Sequence, residues 1–213
     1  EAAAFCEKED LKSEIEYPTV YCAMALLYVD MLYEKKALET FEKAESIFIK
    51  NKDTLDPQFA VFLMDYGTLL ADIYRYDEAL SITMRAKNLY LKHYGENSPE
   101  YAGVLNNLGY TYARMNKFTE TEQFYTKAIE LKRSAKRVRF DNYLTSVNNL
   151  LFFYTSVGRE TETEELVAEL EKGLLNPKLQ DTLKRITFSE NLAQYYAQRQ
   201  VYIKAKKYYD DAL

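Results

Sequence analysis

The sequence is poor in the residues that interrupt helices. Its 213 residues include only six glycines and four prolines. Because hairpin turns depend on glycine and proline, this scarcity argues against a β-rich fold and favours long helices joined by short connections. A hydrophobic fraction of 47% and a charged fraction of 29% are ordinary for a chain that buries a core. The composition therefore predicts an all-α fold.

Residues that bind metals or perform catalysis are also scarce. The single histidine, His93, has no second histidine to complete a metal site or a triad, and we predict that it lies on the surface. The two cysteines, Cys6 and Cys22, lack metal-ligand spacing and are predicted to be small buried side chains. The glycines are isolated and form no phosphate-binding loop. We therefore predict a non-enzymatic protein with no catalytic residue, no metal and no cofactor.

The net charge argues against one class of partner, and the length of the apolar runs argues against insertion into a membrane. A net charge of −5 at pH 7 argues against nucleic acid, because affinity for a phosphate backbone rests on clustered Lys and Arg. No apolar run is long enough to span a bilayer, so membrane insertion is not expected. The first ten residues lack the pattern of a secretion signal. Since the chain has no initiator Met, a signal peptide that was removed by processing is the alternative. The compartment stays open, with the cytoplasm slightly favoured.

One short segment departs from the acidic balance. Between 132 and 139 five positions are basic: Lys132, Arg133, Lys136, Arg137 and Arg139. Such a run is typical of a solvated helix end, and a contact with phosphate or with an acidic partner is the alternative.

An internal repeat of 42 residues runs through the chain. Similar octapeptides begin at 37, 79, 121 and 205, and they read ALETFEKA, ALSITMRA, TEQFYTKA and AKKYYDDA. The copy at 163–170, TEELVAEL, is degenerate but keeps the register. Because a fixed period of this length is the signature of a repeat architecture, the period decides the predicted fold.

Each period contains two helical patterns. In the best copy, one helix face is formed by Leu105, Leu108, Gly109 and Tyr112. The buried side of the next helix is predicted to include Phe118, Phe124, Tyr125, Ala128 and Ile129. Small residues recur at 67, 109 and 193 in the first pattern and at 37, 79 and 205 in the second. Two helices whose facing positions lack bulk can approach closely, so each period is predicted to be an antiparallel helix pair.

Helix-start signals fall between the predicted units. Asp56 and Ser98 each stand directly before a proline, which places a capping side chain ahead of a proline at the first helical position. Asn176 also precedes a proline, just ahead of the fifth unit, and Asp141 is predicted to cap the fourth.

The third repeat resembles the tetratricopeptide family. It has LNNLGYTY at 105–112, NKF at 116–118, Tyr125 and Ala128, which match the family's Leu, Gly, Tyr, aromatic and Ala pattern. The usual period is about 34 residues, and the longer one here is similar to the variety found in kinesin light chains and many bacterial proteins. The resemblance implies a right-handed superhelical solenoid of about five antiparallel helix-turn-helix repeats. HEAT-type repeats, of about 40 to 47 residues, are the alternative, although they do not predict these small residues.

We predict one array over residues 1–213. Residues 1–14 are the expected tail of a preceding repeat, and the five repeats span 18–55, 56–97, 98–140, 141–176 and 177–213. Residue 1 enters the period late in a second helix, and residue 213 stops before the fifth second helix would finish. We therefore expect the array to be part of a longer protein.

The resemblance implies that a peptide lies on a concave surface lined by first helices. If Leu105 and Leu108 face the core, the opposite stripe of the same helix faces that groove. The predicted peptide-binding residues, at equivalent positions of successive repeats, are Asp65, Asn106, Asn107, Tyr110, Arg114, Asn148, Asn149, Phe152, Asn191 and Gln194. An asparagine amide offers donors and an acceptor to a peptide backbone. The alternative is that these asparagines hydrogen-bond to neighbouring structure. Since Arg114 is the one evident cation in the stripe, a clamp for chaperone carboxylates is not expected.

Three functions fit the sequence. The first is a scaffold that binds another protein or a peptide. The second is a ligand-sensing or regulatory segment of a larger signalling enzyme or transcription regulator. The third is an architectural spacer or a homo-oligomer with an exposed apolar interface.

Overall fold

The described helices make an all-α structure. The computed structural model describes residues 18–51, 54–135, 139–159 and 161–213, and no strand occurs among them. The predicted tail at 1–14, Cys6, Lys136 and Arg137 lie outside the described residues. In chain order the helices are α1 (Pro18–Asp30), α2 (Glu34–Asn51), α3 (Pro57–Asp72), α4 (Tyr76–Tyr94), α5 (Pro99–Arg114), α6 (Phe118–Ser134), α7 (Phe140–Ser156), α8 (Glu164–Leu174), α9 (Thr182–Gln198) and α10 (Tyr202–Ala212).

The helices pack in successive pairs. Helix α1 packs on α2, α3 on α4, α5 on α6, α7 on α8 and α9 on α10, so the described residues form five helix hairpins. The chain divides into two compact units, residues 1–95 and residues 96–213. Two hairpins, α1 to α4, belong to the first unit, and three, α5 to α10, belong to the second. The predicted all-α fold of helix-turn-helix repeats is confirmed.

Side-chain caps begin several helices where the sequence predicts them. The carboxylate of Asp56 accepts a hydrogen bond from the backbone N–H of Gln58, at 2.7 Å, and α3 begins with Pro57. The hydroxyl of Ser98 accepts from the N–H of Tyr101, at 3.0 Å, ahead of α5. Each cap satisfies an amide that has no partner within its own helix, so both helix starts are fixed locally.

Two of the predicted helix starts differ. Asp141 does not cap α7, because the cap position is Arg139 and Asp141 already lies inside the first turn. Asn176 accepts from the N–H of Lys178 in a turn, whereas α9 begins later, at Thr182, where Asp181 caps it. Asp141 is instead held by two cations, a role that its position in the sequence does not show.

Close contact between paired helices explains the small residues. A Cβ atom added to Gly67 would lie 2.4 Å from the hydroxyl oxygen of Thr83 on the facing helix. A Cβ atom added to Gly109 would lie 2.7 Å from a ring carbon of Tyr125, at the equivalent place in the next hairpin. Both distances are far below van der Waals contact, so the two helices of each hairpin can approach this closely only because the residue is glycine.

The fourth hairpin closes differently. Leu151 occupies the position of those glycines and is buried, and α8 has 11 residues where α6 has 17. The close approach moves to Gly173, near the end of α8, where an added Cβ would lie 2.6 Å from the methyl carbons of Leu144. The degenerate sequence of this repeat therefore corresponds to a shortened second helix with a displaced contact.

The core positions of the third repeat are largely as predicted. Leu105, Leu108, Tyr125 and Ile129 are buried. Tyr112 and Phe124 are half-buried and stack on each other, and Phe118 is 49% exposed at the start of α6. The first turn of a second helix thus lies at the rim of the hairpin, where an apolar residue stays in contact with solvent.

We expect Gly109→Ala to destabilise the protein by about 2 kcal/mol, because the Tyr125 ring cannot rotate away from the new methyl group within a packed core. Thr126→Ala, at an exposed position of α6, is the control, since it also raises helix propensity but places no atom against a facing helix. Urea denaturation monitored by circular dichroism measures both. An equal cost for the two variants would contradict the close-contact explanation.

Candidate functional site

The first helices of the second unit lie side by side and are joined by asparagine pairs. Helix α7 contacts both α5 and α9. The amide nitrogen of Asn149 donates to the side-chain oxygen of Asn106, at 3.3 Å, and that of Asn191 donates to the side-chain oxygen of Asn148, at 2.9 Å. The partners are 43 residues apart in both pairs, one more than the repeat period. The same bond therefore recurs between successive hairpins.

The asparagines divide into two classes by burial. Asn106 and Asn148, which accept these bonds, are buried, whereas Asn149 and Asn191, which donate them, are partly exposed. An unpaired buried carbonyl oxygen would cost about 1–3 kcal/mol, so the bonds stabilise the contact between hairpins. The alternative considered for the sequence, that asparagines bond to neighbouring structure, therefore applies to these four residues.

The other predicted residues in the second unit are placed unevenly. Phe152 on α7 is 49% exposed and Gln194 on α9 is exposed. Asn107, Tyr110 and Arg114 on α5 are partly buried and contact surrounding residues. Tyr110 packs against the hydrophobic core of the second unit. The most accessible predicted side chains thus lie on α7 and α9 rather than on α5.

A buried polar chain extends the Asn106 contact, and sequence reasoning missed it. The ammonium group of Lys132 donates to the hydroxyl of Ser146, at 2.8 Å, and to the backbone oxygen of Asn142, at 3.0 Å. The Ser146 hydroxyl in turn donates to the side-chain oxygen of Asn106, at 3.0 Å. Lys132 is buried, so the expectation of a solvated helix end is wrong at this residue. Burial lowers the pKa of Lys132 to about 8, and the positive charge of Lys184 acts in the same direction. The negative charge of Asp141 acts in the opposite direction and raises this pKa.

The 42-residue period could have predicted the hydrogen bonds that join Lys132, Ser146 and Asn106. Lys132 is two periods beyond Phe48 and one before Leu174, and both of those residues are buried. Ser146 stands in the same relation to Phe62 and Phe188, which are also buried. The period therefore places a lysine and a serine at positions that are apolar and buried in other repeats.

Asp65 lies in the first unit and has different surroundings. It is 43 residues beyond Cys22, the same separation as in the asparagine pairs, and the two side chains are close enough to interact electrostatically. Burial raises the pKa of Asp65 to about 6. Burial, followed by the charge of Asp65, raises the pKa of the Cys22 thiol to about 12. A carboxylate beside a thiol thus stands where the second unit has hydrogen-bonded amides.

Metal sites and membrane-spanning helices were also sought among the described residues. No group of three or more His, Cys, Asp or Glu side chains in this part of the chain is arranged to hold a metal ion. Among the same residues, no helix combines the length and the apolar character needed to cross a membrane. His93 is exposed at the end of α4, as predicted.

Comparisons with known proteins agree with this fold. Residues 58–134 match the family model described as tetratricopeptide repeat, and no curated protein matches the chain. The nearly identical TPR-like repeats of a kinesin light chain from Podosopora anserina have a TM-score of 0.66 and 16% identity, covering 93% of this chain and 95% of that one. BtubC (BKLC) from P. vanneervenii has a TM-score of 0.59 and 21% identity, with 95% and 89% covered. Pseudomonas aeruginosa pilF has a TM-score of 0.58 and 18% identity, with 93% and 76% covered. Identities this low show a shared fold alone.

We expect Asn191→Ala to lower the free energy of unfolding by about 1–2 kcal/mol, because it leaves the buried side-chain oxygen of Asn148 without its donor. The double variant with Asn148→Ala should cost less than the sum of the two single variants. Gln194→Ala, on the exposed side of the same helix, is the control. If Asn191→Ala costs no more than this control, the bond between hairpins does not stabilise the unit.

Asp65→Asn is expected to stabilise the protein at pH 8 by about 2 kcal/mol and to have little effect at pH 4. The folded-state pKa is raised, so the protonated form is favoured in the fold, and the stability it contributes is lost as pH rises through about 6. Thermal unfolding at both pH values measures the effect, with Glu42→Gln as an exposed control. An equal gain at both pH values would contradict the burial of this carboxylate.

Proposed function

We propose that the chain, whose residues 58–134 match the tetratricopeptide repeat family, is a non-catalytic scaffold that holds a partner polypeptide on the first-helix surface of its second unit. This surface comprises Asn149 and Phe152 on α7 and Asn191 and Gln194 on α9. Tetratricopeptide repeats generally mediate interactions between proteins. The location of the surface, and the absence of chemistry, are our proposal.

Phe152 is the observation that carries this proposal. Its ring is half exposed on α7, and α7 contacts both of the other first helices of the second unit, α5 and α9. The flanking predicted residues on α7 and α9 are amides, so the ring is an apolar contact within polar surroundings. Aromatic side chains of this kind supply much of the binding energy at protein interfaces. The ring would provide contact area for one side chain of a bound peptide.

The two exposed asparagines can supply the polar contacts. Asn149 and Asn191 each use one amide hydrogen in the bond to the neighbouring hairpin. The second amide hydrogen and the side-chain oxygen of each form no hydrogen bond with the described part of the protein. These atoms match the donors and acceptors of an extended peptide backbone. Because the bonds between hairpins already fix the orientation of both amides, little conformational entropy is lost when a peptide binds.

We expect Phe152→Ala to weaken peptide binding about tenfold or more without loss of stability, because the ring is half exposed and contributes to contact rather than to the core. Peptides would first be selected from a displayed random library against the full wild-type chain. Their dissociation constants for each variant would then be measured by fluorescence anisotropy.

Phe118→Ala is the matched control. Its side chain is also 49% exposed, but it lies on α6, a second helix, outside the proposed surface. Binding should be unchanged in this variant. Equal losses in both variants would indicate non-specific apolar contact, and no loss with Phe152→Ala would exclude the first-helix surface and favour an architectural role.

A further inference from the structure

A cleft of about 570 Å³ lies within the second unit, and its lining residues differ from those of the first-helix surface. It is formed by the end of α6, the beginning of α7 and the connection that precedes α9. Its lining residues are Lys132, Arg133, Arg139, Phe140, Asp141, Tyr143, Lys178, Gln180 and Asp181. A cleft of this volume is of the size that holds a small ligand or a side chain of a partner.

The buried lysine in this cleft replaces an apolar contact. In the first unit the rings of Phe48 and Phe62 pack 5.2 Å apart. Lys132 and Ser146 occupy the corresponding positions in the second unit, and both are buried. A buried ammonium group is costly compared with an apolar side chain of similar size, so packing does not explain the lysine.

The cations of the cleft are not balanced by its carboxylates. Arg139 and Lys184 both contact Asp141, with nitrogen–oxygen distances of 2.9 and 2.7 Å, and thereby neutralise it. Asp181 accepts from the backbone N–H of Lys184 and caps α9. Lys132 bonds to neutral oxygens alone, and neither it nor Lys178 forms an ion pair with a residue that the structure describes. Arg133, the fourth cation of the lining, pairs with Glu165 and Glu169. Lys132 and Lys178 are therefore the lining cations that have no ion-pair partner among the described residues.

The backbone adds to this positive field. Helix α7 has 17 residues, and its cap residue, Arg139, forms no capping hydrogen bond through its side chain. The first-turn residues Phe140 and Asp141 line the cleft. The amides of Asn142 and Tyr143 donate to the backbone oxygen of Arg139, so the donors that the amino end of α7 can offer are the N–H groups of Phe140 and Asp141.

We propose that this cleft binds a phosphate group, carried by a small phosphate compound or by a phosphorylated side chain. Lys132 would donate its third ammonium hydrogen to a phosphate oxygen, and Lys178 would supply the second charge from the rim. Arg139 keeps one guanidinium nitrogen, Nη1, outside its contacts with Asp141 and can add a further donor. Phe140 and Tyr143 give the cleft an apolar wall for the group that bears the phosphate. The site is lined by other residues than the peptide surface proposed above, and the hydrogen bonds from Lys132 through Ser146 and Asn106 connect it to Asn149 of that surface.

The proposal can be tested by titrating the ¹⁵N-labelled full chain with inorganic phosphate, with phosphoserine and with sodium chloride at matched ionic strength. We expect saturable shifts at the amides of α7's first turn and of residues 178–181 with phosphate or phosphoserine but not with chloride. Lys178→Gln should raise the dissociation constant about tenfold. Lys127→Gln, an exposed lysine on the same helix as Lys132, is the control and should change nothing.

Lys132→Leu separates binding from folding. Leucine stands at the equivalent buried position of the fourth repeat, at Leu174, so the variant should fold and be at least as stable as the wild type. It should also lose the saturable shifts. Tighter binding of phosphoserine than of phosphate would identify a phosphorylated side chain as the source, and the reverse order would identify a small phosphate. Shifts that do not saturate, that occur equally with chloride, or that persist in both variants would overturn the proposal.

Discussion

The close approach of the two helices in each hairpin is the constraint on which the rest of the structure depends. In the second and third hairpins a glycine faces a larger side chain so closely that no Cβ atom fits between them, at Gly67 with Thr83 and at Gly109 with Tyr125. This contact fixes the thickness of the hairpin. A fixed thickness sets the spacing of neighbouring first helices, so a side chain as short as asparagine can reach from α7 to α5 and from α9 to α7.

Equivalent positions between hairpins carry different chemistry in the two units. The first unit packs aromatic rings together, as at Phe48 and Phe62, whereas the second has Lys132 and Ser146 at the same register. The asparagine pairs of the second unit likewise correspond to Cys22 and Asp65 in the first. The repeated backbone therefore supplies similar geometry, and the side chains decide where polar groups are placed. Both proposed binding surfaces lie in the unit with the polar contacts.

The two surfaces use polar groups in different ways. On the first-helix surface, the bonds between hairpins use one amide hydrogen of Asn149 and one of Asn191, and both side chains stay partly exposed. In the cleft, neutral oxygens hold the Lys132 ammonium group in place without neutralising its charge. In both cases a partly satisfied polar group is held by the fold, which lowers the entropy lost when a ligand binds. The apolar contacts form the core, and both proposed binding surfaces are built on the polar contacts.

The sequence by itself determined the helical repeat, because a 42-residue period of small and apolar positions is written directly in the order of residues. It also located the caps at Asp56 and Ser98, which act within a few residues of themselves. Only the tertiary structure decided that Asn106 and Asn148 are buried acceptors, that Asp141 pairs with Lys184 instead of capping α7, and that Lys132 enters a cleft. Each of these outcomes depends on a partner about 40 residues away or on burial by another helix. Local pattern specifies a helix and its faces, whereas the state of a polar group depends on what the neighbouring hairpin brings to it.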